Sequence, residues 1–119
     1  MTSLEKAKEI IKVLDNKKAK NIQLLEISNL SSLGDYFIIA SGGSNTQVKS
    51  LSEEVDEAMS KLGVEPERME GTQTAQWILI DYSDVMVHIF QEETRDFYSL
   101  ERLWNDAPNI DIAGLISQD

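Results

Sequence analysis

A chain of 119 residues, 41% of them hydrophobic, is long enough to bury one core and too short for two. Its formal net charge of −10 repels a phosphate backbone, which argues against direct nucleic-acid binding. With no Cys there is no disulfide or thiolate chemistry; no run of about 18 apolar residues is present to span a bilayer, and the charged amphipathic start lacks an apolar signal segment, so a cytoplasmic protein is expected.

Thr2 and Glu5 are spaced as a capping box, and Leu4, Ala7, Ile10 or Ile11, and Leu14 recur at helical intervals to about Lys18, which predicts an amphipathic first helix. A strand over 22–27 follows, then a polar connection over 29–34. The next run, 36–40, is apolar without alternation, the pattern of a strand covered on both faces in the middle of a sheet. Ser41-Gly-Gly-Ser44 breaks it, and Ser44 with Gln47 is placed as Ncap and N3 of a second capping box. Val48, Leu51, Val55, Ala58 or Met59, and Leu62 trace the buried stripe of that helix, which Gly63 stops. Pro66 and Gly71 make 64–74 a loop with room for a short edge strand over 68–70.

Two apolar runs on either side of Ser83-Asp84 read as a β-hairpin. With a loop of two or four residues, Tyr82 faces Val85, Leu79 faces His88 and Trp77 faces Phe90. Alternation then gives one face Ile78, Ile80, Tyr82, Val85, Val87 and Ile89, and the other Trp77, Leu79, Asp81, Met86, His88 and Phe90. The first is a core face. The second mixes aromatics with a carboxylate and the chain's one His, a composition suited to a partner surface. One or two helical turns over 94–107 and a loosely held tail over 108–119 complete a single domain. The order α-β-β-α-(β)-β-β-α predicts a two-layer α/β sandwich with a mixed sheet and its two main helices on one face. The opposite face, only partly covered by the C-terminal turns, is where an exposed functional surface is expected.

Ser41-Gly-Gly-Ser44 is the one element that invites phosphate chemistry at a helix start. It lacks Gly-Lys-Ser/Thr and the paired Asp-x-Asp that holds metal ions in nucleotide transfer, so it reads as a tight strand-to-helix turn. His88 has no activated Ser or Cys partner and no second His or Cys with which to build a zinc site, and reads as a structural or interface residue bonded to Asp81 or Asp84. Those two carboxylates flank a turn and serve first as turn-formers, then as contacts for a basic partner. Of Trp77, Phe97, Tyr98 and Trp104, Trp77 and Tyr98 are the expected surface aromatics, since Trp and Tyr dominate binding hot spots. Glu70, Asp81, Asp84 and Glu101 are expected to pair with Lys and Arg of a partner. No catalytic residue, metal or cofactor is expected.

Asp35-Tyr-Phe-Ile-Ile-Ala-Ser-Gly42, Glu70-Gly71, Trp77, Asp81-Tyr82, Asp84-Val85, Val87-His88, Phe90, Phe97-Tyr98 and Leu100-Glu101-Arg102-Leu103-Trp104 together resemble the signature of the Iojap-like ribosomal silencing factor family over roughly 4–107. Two positions depart from it: Ser83 stands where the family usually has Gly, and Asn45-Thr46 replaces a stretch that often carries Arg. The resemblance implies a nucleotidyltransferase-like scaffold used for binding. It further implies a partner in the large ribosomal subunit, a basic ribosomal protein numbered fourteenth there, and a homodimer when free. Bound at the face toward the small subunit, such a factor blocks subunit joining and represses translation under nutrient limitation. The expected contact residues are Trp77, Leu79, Asp81, Asp84, Met86, His88, Phe90, Tyr98 and Glu101. A nucleotide-binding transferase on the same scaffold is the alternative, and a small acidic adaptor unrelated to ribosomes is a third reading.

Overall fold

A computed structural model describes residues 1–29, 34–98 and 107–116, with backbone alone at 96–98. Helix α1 (Ser3–Asn16) starts at the expected capping box. Glu5 N–H donates to Thr2 Oγ1 at 3.1 Å, and Thr2 N–H donates to Glu5 Oε1 at 3.0 Å. Two otherwise orphaned amides are thereby satisfied. Its stripe of Ala7, Ile10, Ile11 and Leu14 is buried. Strand β1 (Lys20–Glu26) is followed by β2 (Tyr36–Gly42), the connection at 30–33 lying outside the described residues.

Helix α2 (Asn45–Lys61) buries Val48, Leu51, Val55 and Met59. Leu62, expected in that stripe, is 52% exposed because it lies past the helix end, where Gly63 turns the chain at φ +81°. The second capping box forms only by half. Gln47 N–H donates to Ser44 Oγ at 3.1 Å, but Gln47 Oε1 accepts from Gly43 N–H rather than from Ser44.

Strands β3 (Arg68–Glu70), β4 (Trp77–Asp81) and β5 (Val85–Gln91), helix α3 (Glu92–Tyr98) and strand β6 (Asn109–Ile110) follow. The sheet runs β3-β4-β5-β2-β1-β6, with β2 and β5 parallel and the other neighbours antiparallel. This is the mixed sheet expected of a two-layer α/β sandwich. On one face Ile38, Ala40, Ile78, Ile80, Val85, Val87 and Ile89 pack against the stripes of α1 and α2. On the other, Leu25, Ile27, Phe37, Ile39, Met86, Phe90 and Ala107 form a second apolar cluster. Phe37, Ile38, Ile39 and Ala40 of β2 are all buried, which explains their unbroken apolar run.

Within the segment expected as a loose tail, Asn109 and Ile110 instead join the sheet. Leu24 and Leu25 of β1 pair with Ile110 and Asn109, Ile112 is buried, and Leu115 and Ile116 pack on the helix-side core. A two-residue strand carries no readable period, which is why the sequence pattern misses it. The C-terminal helix begins at Glu92, earlier than expected. Gln91 Oε1 accepts from Glu93 and Thr94 N–H there, at 3.0 and 3.3 Å. Residues 99–106 lie outside the description.

The hairpin register is the expected one: Trp77 opposes Phe90, Leu79 opposes His88 and Asp81 opposes Met86. Tyr82 N–H donates to Val85 O, and Asp84 N–H donates to Tyr82 O, both at 2.9 Å. The second bond makes Ser83 the centre of a γ-turn at φ +75°, a conformation strained for any residue with a Cβ. Ser83→Gly is therefore expected to raise the unfolding free energy by about 1 kcal/mol. Urea unfolding checks it: the midpoint rises at unchanged slope, and a lower midpoint contradicts the reading.

Candidate partner-binding surface

Alternation along β4 and β5 carries Trp77, Leu79, Met86, His88 and Phe90 to the face opposite α1 and α2. There the rings form one cluster. Trp77 stacks on Phe90 with centroids 4.9 Å apart and planes 25° from parallel, and the His88 ring lies 4.7 Å from that of Phe37. Antiparallel pairing places Trp77 diagonal to His88, within reach of a long side chain. The indole Nε1–H donates to His88 Nδ1 at 3.1 Å. An indole nitrogen only donates, so Nδ1 must carry the lone pair and the neutral imidazole holds its proton on Nε2. That Nε2 is buried without a hydrogen-bond partner among the described residues.

The expected bond from His88 to Asp81 or Asp84 is not made, because both carboxylates have nearer donors. Asp81 Oδ2 accepts from Arg68 Nε at 3.2 Å, and its Oδ1 accepts from Ser83 N–H at 2.7 Å. Lys6 Nζ donates to both oxygens of Asp84, at 3.0 and 3.2 Å, tying the hairpin loop to α1. Asp84 thus points into the helical layer rather than toward the aromatic face. Lys6 and Asp84 are 78 positions apart, and no local pattern announces the pair.

Burial also redraws the surface. Met86, His88 and Phe90 are 7%, 5% and 0% exposed, so they form a foundation rather than an open contact face. Trp77 and Leu79, on β4, are half-buried at its margin. On β3, Glu70 sits opposite Leu79 and Arg68 opposite Asp81, and both are exposed. The accessible element is therefore an apolar pair with a charged rim. The Tyr98 side chain and Glu101 lie outside the described atoms.

Two further residues shape this face. Arg95 is buried, and its Nη1 donates to Asn21 O and Ser41 Oγ, each at 2.7 Å. It fastens α3 across the ends of β1 and β2. A lone Arg in a polar helix carries no sequence signal for burial. Gly71, at φ +86°, would place a Cβ 2.1 Å from Trp77 O, so the chain before β4 is pressed against the backbone that carries the indole.

The polar groups of the Ser41–Ser44 turn are taken up by α2 and α3. Ser41 Oγ is bonded to Arg95, Gly43 N–H to Gln47 Oε1, and Val48 N–H to Ser44 O at 3.0 Å. A Cβ on Gly42 would lie 3.1 Å from the Val48 side chain, so close strand-to-helix packing accounts for that glycine. Among the described residues no group of three or more His, Asp or Glu is placed to hold a metal ion, and no helix is long and apolar enough to cross a membrane.

The profile of the family described as "Ribosomal silencing factor during starvation" matches residues 1–119. The chain belongs to the ribosomal silencing factor family. A relative named Ribosomal silencing factor RsfS, from Halalkalibacterium halodurans, is 37% identical over 117 residues, covering 98% of this chain and all of that one. A crystal structure of a protein from Chromobacterium violaceum superposes with a TM-score of 0.86 at 38% identity, covering 88% of each chain. A mouse protein named Mitochondrial assembly of ribosomal large subunit protein 1 is 24% identical over 98 residues, which span 80% of this chain and 43% of that one. The match runs through β6, beyond the 4–107 span of the resemblance.

Burial pushes the His88 imidazolium from its ordinary value near 6.5 down to about 4. The folded state therefore holds the ring neutral at a pH where the unfolded chain would protonate it. The resulting stability is fully present above pH 6.5 and is lost as pH falls through about 4. Between those values the chain is expected to lose up to about 1.4 kcal/mol per pH unit more steeply than a His88→Asn variant. Denaturant unfolding of both chains across that range checks the difference, and parallel curves would contradict it.

Proposed function

We propose that this protein binds the large ribosomal subunit through a basic ribosomal protein at its intersubunit face, the fourteenth in large-subunit nomenclature. Bound there, it keeps the small subunit from joining and so represses translation when nutrients are scarce. The observation that carries the reading is the half-buried Trp77–Leu79 pair, backed by buried Phe90 and His88 and rimmed by exposed Glu70 and Arg68. An aromatic anchor on a rigid base with a charged border has the makeup of a binding hot spot. The net charge of −10 favours encounter with a strongly basic protein. The family description and the name of the mouse relative support a ribosomal partner and, for the second, the large subunit.

The action in this reading is steric and requires no bond to be made or broken. A body about 33 Å across held at the joining surface displaces subunit contacts. The factor works in the cytoplasm and is a homodimer when free, the dimer and the ribosome complex both drawing on exposed side chains.

Co-sedimentation with purified large subunits tests the proposal. Wild type is expected in the pellet, with retention falling as salt rises, because the charge attraction is screened. Trp77→Ala is expected to weaken binding by about 2 kcal/mol or more, roughly thirtyfold. A folded Trp77→Ala chain retained as firmly as wild type refutes the contact assignment, and failure of wild type to pellet refutes the partner.

A further inference from the structure

We propose that His88 is a positioning residue for Trp77, its Nδ1 holding the indole Nε1–H so that the exposed edge of the ring meets the ribosomal partner in one orientation. The inference rests on the contact reading above and adds the device that makes the contact specific. Stacking alone does not fix an indole. Ring-on-ring contact with Phe90 at 4.9 Å survives a half-turn of the indole about its Cβ–Cγ bond, which would carry the N–H to the other side. The 3.1 Å bond to Nδ1 selects one of these two placements.

The acceptor is itself immobile. His88 lies on the central strand β5, 5% exposed, with the Phe37 ring 4.7 Å away and Leu79 directly opposite. A flipped imidazole would present a carbon where the lone pair now stands, and the indole donor would lose its acceptor. Each ring therefore determines the other's orientation. Fixing a large side chain before encounter removes part of the ordering cost of association, and Trp77 is the ring of this cluster that reaches solvent.

The first test uses the wild-type chain labelled with 15N. A scalar coupling between Trp77 Nε1 and His88 Nδ1 across the N–H···N bond is expected, the Trp77 signal being identified from a Trp77→Phe variant. Its absence overturns the inference.

The second is a double-mutant cycle on large-subunit binding. His88→Phe keeps ring bulk without an acceptor and is expected to weaken binding about three- to tenfold. His88→Asn, whose Oδ1 falls near the position of Nδ1, is expected to restore most of the loss. In a Trp77→Ala background His88→Phe should cost nothing further. Independent, multiplicative losses overturn the inference, as does undiminished binding by folded His88→Phe when Trp77→Ala is impaired. Undiminished binding by Trp77→Ala itself overturns the contact reading and the inference together, and so is distinguishable from failure of the inference alone.

Discussion

Strand β5 must bury side chains on both faces at once, and this demand organises the molecule. It lies between β2 and β4, with Val85, Val87 and Ile89 beneath the helices and Met86, His88 and Phe90 in the second cluster. A slip of one residue would drive His88 into the aliphatic core under α1 and α2 and expel Val87 from it. Hydrophobic sorting therefore fixes the register far more firmly than the ladder hydrogen bonds, which any register supplies equally. Once that register is set, Trp77 falls opposite Phe90 and diagonal to His88, and the indole finds its acceptor without further design.

What could be read from the sequence divides along the same line. Features that depend on a period were legible: the stripes of α1 and α2, the doubly buried β2, and the two faces of the β4–β5 hairpin, because burial acts on every second or every third to fourth residue. Features that depend on one side chain meeting another across the fold were not. Lys6 meeting Asp84, Arg95 reaching Asn21 and Ser41, and Trp77 donating to His88 rather than leaving that ring to Asp81 follow from three-dimensional placement alone. The candidate surface suffered for this reason. Trp77, Leu79, Met86, His88 and Phe90 share one face, but the degree to which Met86, His88 and Phe90 are buried depends on what lies over the sheet, and alternation says nothing of that.

The carboxylates behave in a related way. Asp81 and Asp84 satisfy cations of their own chain, so the acidic surplus available to a partner lies elsewhere. Glu53, Glu57, Glu65, Glu67 and Glu70 are exposed, and of these Glu57 and Glu70 have Lys61 and Arg68 nearby. Exposed pairs contribute little to stability. A summed field steers an approaching basic surface whichever individual carboxylates produce it, so in the proposed complex encounter depends on the total and the docked geometry on the Trp77–Leu79 margin. The two tasks are physically separate, which frees the hairpin carboxylates for turn formation and helix attachment.

A neutral imidazole whose Nε2 has no hydrogen-bond partner among the described residues is an expensive occupant for a cluster of Phe, Met and Leu. A buried donor left unmade costs about 1–3 kcal/mol, and a phenyl ring of similar shape would avoid it. An acceptor at the Nδ1 position, however, gives the part-buried Trp77 indole N–H a partner within the fold, which a phenyl ring at 88 would not. The imidazole thus moves an unmet hydrogen-bonding demand from the half-buried Trp77 ring to the interior, where packing against Phe37 and Phe90 holds the His88 ring. Stability is lowered at β5 to gain order at β4, the exchange expected where a core residue serves a surface site.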